Sequence, residues 1–137
     1  MINLSYIHLY QENPTIGLTD GVQVSEAGTQ TSPISFTLNA TSNEIGSSLK
    51  CAIRTDSGFQ TTSGVSTTIT PTGTNYTMWR LSLDNITWSD WGLVLTISSQ
   101  ITPINIILYV QAKSVSTETP MNDVSTTLQV AAQIEAV

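Results

Sequence analysis

The feature that most constrains this chain is a hydrophobic period of two, repeated in segment after segment. Ile34, Phe36, Leu38 and Ala40 alternate with Ser35, Thr37 and Asn39. Successive side chains of an extended backbone point to opposite faces, so such a run is a strand with one buried and one wet face. The same parity sets Leu49, Cys51 and Ile53 on one face of "LKCAIRT", and Ile106, Leu108, Val110 and Ala112 on one face of "INIILYVQAKSV". In "VSTTLQVAAQI" it aligns Val124, Leu128, Val130, Ala132 and Ile134. The last two segments, joined by the polar stretch "STETPMND", read as a long antiparallel hairpin. Turn-forming residues at Asp20-Gly21, Asp56-Ser57-Gly58, Pro71 to Asn75 and Pro120 to Asp123 punctuate the strands at the spacing of an all-β sandwich. No segment carries a convincing helical period. A chain of 137 residues is expected to form one domain whose core needs neither disulfide nor metal.

Residues 1–20 break the alternation. "INLSYIHLYQ" is apolar at both parities, with Ile2, Leu4 and Tyr6 on one and Ile7 and Leu9 on the other. A strand apolar on both faces must be covered on both. Two arrangements satisfy that. One is an interior or edge strand of the same domain. The other is an arm over residues 1–20, a strand and linker that pack on a neighbouring subunit through Tyr6, Ile7, Leu9 and Tyr10, leaving 21–137 as the sandwich.

"MWRLSLDNITWSDWG", residues 78–92, holds all three tryptophans. A two-residue turn at Asp84-Asn85 would set Leu83 opposite Ile86, Ser82 opposite Thr87, Leu81 opposite Trp88 and Arg80 opposite Ser89. Every pair then matches apolar with apolar or polar with polar. This register sends Trp79 and Trp88 into the core with Leu81 and Leu83. Trp91, at the opposite parity and just before Gly92, is expected to be at least half exposed.

Several function classes find little here to stand on. Charged residues make up 10% of the chain and the net charge is -6, the reverse of the basic footprint that nucleic acid requires. No apolar run reaches the length of a membrane span, and the opening residues lack the plan of a secretion signal, so synthesis in a cytoplasm without Sec export is expected. Matches to the N-glycosylation pattern, such as Asn75-Tyr76-Thr77, are near chance in a chain so rich in Ser and Thr. Cys51 is the sole cysteine and reads as a small buried hydrophobe. His8 is the sole histidine, so the many hydroxyls have one candidate base, and no Gly-x-Ser-x-Gly elbow is present. The acids fall mostly in turns, and "SLDNITW" lacks the glycine of the sialidase Asp-box that it otherwise approaches. No Asp-x-Asp-x-Asp-Gly calcium loop occurs, and a site built from Glu118, Asp123 and a distant loop is a minor alternative. The expectation is a non-enzymatic chain without cofactor or metal.

The runs "WRLSLDNITWSDWG", "ITPINIILYVQAKS" and "TETPMNDVSTTLQVAAQI" resemble the Ig-like or fibronectin-III-like domains of tailed bacteriophages and prophages of Firmicutes. The matching positions are Trp79, Leu81, Ser82 and Asp84; Trp88; Tyr109, Val110 and Ala112; and Glu118, Pro120, Asn122 and Asp123, with Asn85 standing where a glycine is common. The resemblance spans roughly residues 22–137. It implies an all-β, Ig-like antiparallel β-sandwich with an N-terminal extended strand or arm, and a core containing Trp79, Leu81, Trp88 and Tyr109. It also implies a virion structural protein: a capsid decoration or accessory protein binding the capsid lattice, or a tail or baseplate accessory domain. Its partners would be capsid or tail proteins of the same virion, met as a homo-oligomer or in many copies, without nucleic acid or membrane. The competing class is a carbohydrate-binding module, in which exposed aromatics stack on sugars. Trp91 and Tyr76 are the candidate glycan contacts.

Overall fold

The computed structural model describes residues 6–24, 34, 38, 43–114 and 127–137. Within them the alternation becomes strands that pair antiparallel throughout. These are β1 (Ile7–Gln11), β2 (Val22–Gln23), β3 (Leu49–Thr55), β4 (Phe59–Thr61) and β5 (Thr67–Thr72), then β6 (Trp79–Ser82), β7 (Leu95–Ile97), β8 (Ile106–Ala112), β9 (Thr127–Ala131) and β10 (Ile134–Ala136). A five-stranded sheet runs β2-β1-β3-β8-β6, a three-stranded sheet β7-β5-β9, and a two-stranded ribbon β10-β4. The fold is all-β, an Ig-like sandwich of antiparallel sheets packed on one core.

That core follows from parity. Leu9, Cys51, Ile53, Leu81, Leu108 and Val110 line the inner face of the five-stranded sheet, and Ile69 and Ile97 approach from the three-stranded one. Leu128, Val130, Ala132 and Ile134 pack against it from β9, β10 and the residues between. Ile34 is buried in the same cluster, and Leu38 packs on it. Burial drives the Cys51 thiol up to about 12, so it packs as a hydrophobe rather than ionising.

The expected hairpin of 106–112 with 124–134 does not form. Both edges of β8 are taken, by β3 on one side and β6 on the other, so β9 has no ladder to join there and pairs with β5 instead. The two apolar faces still line one core from opposite sheets, so burial survives the change of partner. The connecting stretch, with Glu118, Pro120, Asn122 and Asp123, lies outside the described residues.

At the N-terminus the strand alternative holds over β1, which sits between β2 and β3 with Ile7 opposite Thr55, Leu9 opposite Ile53 and Tyr10 opposite Ala52. Ile7, Leu9 and Tyr10 are buried within their own chain, as a strand of the same domain requires, rather than left for packing on a neighbouring subunit. Over β1 the core lies on one side and Arg54, stacked over Tyr10, on the other; Ile2 and Leu4 lie outside the described residues. Pro71, expected in a turn, lies inside β5 opposite Leu128. The strand tolerates it because the ladder to β7 stops at Ile69.

Candidate functional site: the outer face of the five-stranded sheet

The register of the Trp-rich hairpin differs by one residue from expectation. Ser82, not Leu81, pairs with Trp88, and the Ser89 N–H donates to the Leu81 carbonyl. The cause is local. The Ser82 hydroxyl accepts from the N–H groups of Asp84 and Asn85 and donates to Asp84 Oδ1, which accepts from the N–H groups of Ile86 and Thr87. Side-chain oxygens thus satisfy the backbone N–H groups of residues 84–87 and open the tight turn into a longer loop. Asn85 takes the left-handed conformation there, at φ 61°. Those bonds hold the Asp84 carboxyl below its usual range.

A slip of one residue moves a strand's side chains to the other face. Trp79 and Leu81 stay in the core, at 9% and 0% exposure, but Trp88 turns outward and is half-buried, and Leu83 and Ile86 are 40% and 81% exposed. Tyr109 is also corrected from core to the outer face, since it pairs with Lys50 on one side and Ser82 on the other. Trp91 is half-buried, less exposed than its parity suggested.

Outward positions then line up across four adjacent strands: His8 and Tyr10 on β1, Lys50, Ala52 and Arg54 on β3, Ile107, Tyr109 and Gln111 on β8, and Arg80 and Ser82 on β6. Lys113 follows at the end of β8, with Trp88 and Trp91 beside β6. Lys50, Arg54, Arg80 and Lys113 are all of the lysines and arginines in the chain, and His8 is its sole histidine. One sheet face therefore collects every basic side chain of an acidic molecule. The signal lay in the sequence, since each basic residue stands at the parity opposite its strand's apolar series. Only the strand order β1-β3-β8-β6 shows that the positions share a surface.

The cations are fixed by rings and amide oxygens. Arg54 Cζ lies 3.5 Å from the Tyr10 ring centre, while Nη1 donates to the Asp20 carbonyl and to Asn105 Oδ1. Arg80 Cζ lies 4.8 Å from the Trp88 ring and 4.5 Å from that of Trp91, and its guanidinium donates twice to Gln111 Oε1. Lys113 Nζ is 4.5 Å from the Trp91 ring. Among the described residues the ion pair is His8 with Asp56, at 3.5 Å, and none of the four Lys and Arg side chains meets a carboxylate that closely. Cation–π and amide contacts orient a charge without cancelling it.

The candidate glycan contacts lie near each other but differ in what engages their rings. Tyr76 is 44% exposed on a 3-10 turn, Tyr76–Met78. A Cβ at Gly92 would come within 3.3 Å of the Tyr76 ring, so Tyr76 and Trp91 flank the same bend. The Trp91 ring, however, is engaged by Arg80 and Lys113. Tyr6, 49% exposed, stacks on Phe59 with ring centres 4.0 Å apart. Among the described residues no three His, Cys, Asp or Glu side chains converge as a metal site requires. Comparison with protein-family models, curated proteins and solved structures finds no match to this chain.

Proposed function

We propose that this chain is a non-enzymatic virion structural protein, a capsid decoration or accessory protein that binds the capsid lattice in many copies. The observation that carries the reading is the outer face just described, where basic and aromatic side chains lie pre-packed across β1, β3, β8 and β6. A broad sheet face is a contact surface for a macromolecule, whereas small molecules favour concave sites. Support also comes from the residues of the phage-type resemblance. Trp79 and Leu81 anchor the core, and Ser82 and Asp84 build the loop beside the face. The competing sugar platform is disfavoured because cations already engage the rings of Trp88 and Trp91.

The test is sedimentation of the purified chain with empty capsids assembled from the major capsid protein of the same genome. The proposal expects saturable co-sedimentation at a fixed copy number per capsid. A chain that stays in the supernatant at every ratio would overturn the capsid reading and favour the tail alternative.

A further inference from the structure

We infer that the outer face of β3, β8 and β6 is a docking surface for a carboxylate-rich protein surface. The inference rests on the proposed role as a binding module and names the chemistry of the partner.

The charge arithmetic points this way. The chain has ten acidic and four basic residues, a ratio at which each cation could readily be paired. Among the described residues, Arg54 and Arg80 instead contact Tyr10, Trp88, Trp91 and amide oxygens, and Lys113 contacts Trp91. Holding a guanidinium on a ring and an amide restricts its rotamers and leaves its charge available, which lowers the ordering cost of meeting an anion. Lys50 and Arg54 are about 13 Å apart along β3, and β3 and β6 about 10 Å apart across β8, at ordinary strand spacings. The positive field is thus spread over a patch.

The patch favours protein over other polyanions. Its centre is not uniformly charged: the partly exposed Ile107 and Tyr109 occupy it, with Ala52 fully buried beside them, and aromatic and arginine side chains beside apolar ones are the composition of protein–protein contact centres. Asp56 and Asp20 stand at its edge, pairing with His8 and binding Asn105. A long nucleic acid or anionic polysaccharide crossing the face would run into those carboxylates, while a compact acidic patch fits inside them.

The test is a tryptophan-fluorescence titration of the full chain with a glutamate-rich peptide, run beside duplex DNA and hyaluronate at matched charge. Trp88 and Trp91 lie on the face and report occupancy. The expected result is a saturable response to the peptide that weakens as salt rises, with the other two polymers binding more weakly. Arg80→Gln and Lys113→Gln together are expected to reduce peptide affinity about tenfold. Lys50→Gln, a position with no cation–π contact to Trp88 or Trp91, guards against a folding artefact and is expected to weaken binding in the same direction. Absence of peptide binding, equal or tighter binding of DNA or hyaluronate, or variants that bind as the wild type does would each overturn the inference. Peptide binding without capsid co-sedimentation would sink the virion reading and leave this surface standing. Capsid binding indifferent to all three substitutions would do the reverse.

Discussion

Trp79 and Trp88 lie nine residues apart in sequence and do opposite things. Trp79 is in the core and Trp88 holds Arg80 on the surface, so truncation separates them. Trp79→Ala is expected to cost about 3–5 kcal/mol in urea unfolding, and Trp88→Ala about 1 kcal/mol. Equal costs would restore the tight-turn register. The sequence made Trp79 and Leu81 legible because strand parity governs both. Trp88 was not legible, because its face depends on the length of a loop fixed by Ser82 and Asp84 rather than by hydrophobic pattern. The Asp84 carboxyl adds a pH dependence. Its pKa is lowered in the folded chain by the Thr87 and Ile86 N–H groups, so its contribution is complete above the ordinary carboxylate range. It is lost as pH falls through the lowered value. Asp84→Asn is expected to flatten that part of the acid limb of a thermal-stability profile. The buried Cys51 is expected to resist a disulfide reagent in the native state and to react at once in urea.

Among the elements β1 changes meaning most. Pairing on both sides makes it an interior strand, and its loss would expose the β3 edge and the apolar cluster around Ile53. Deleting residues 1–11 is therefore expected to abolish cooperative thermal unfolding. A truncated chain that melts as sharply as the full one would return the segment to the role of a detachable arm. Leu9→Ala should destabilise by about 2–5 kcal/mol. Over Ile7–Gln11 the strand read in "INLSYIHLYQ" is present, but a local pattern says only that cover is needed. Whether the same chain or a neighbour supplies it depends on strand order. The β8–β9 hairpin failed for the same reason. Both segments were recognisable as strands, yet occupation of both β8 edges by β3 and β6 is a long-range fact.

On the scale of the whole molecule, net charge and its distribution say different things. A net charge of -6 speaks against long-range attraction to nucleic acid, while the outer sheet face carries all the lysines and arginines. Each parity was readable in "LKCAIRT", "WRLS" and "ILYVQAK", but their convergence required the order β3-β8-β6. Tyr109 shows how parity outweighs motif: its place in a phage-type strand suggested core, whereas its alternation with Leu108 and Val110 points it outward. Whether the outer sheet face is the contact surface is tested by hydroxyl-radical footprinting of the chain alone and bound to empty capsids. Protection of Trp88, Trp91 and Tyr109 is expected on binding, with Tyr76 oxidised as in the free chain. Protection confined to Tyr76 or to the β7-β5-β9 sheet, with the outer face still fully reactive, would contradict it.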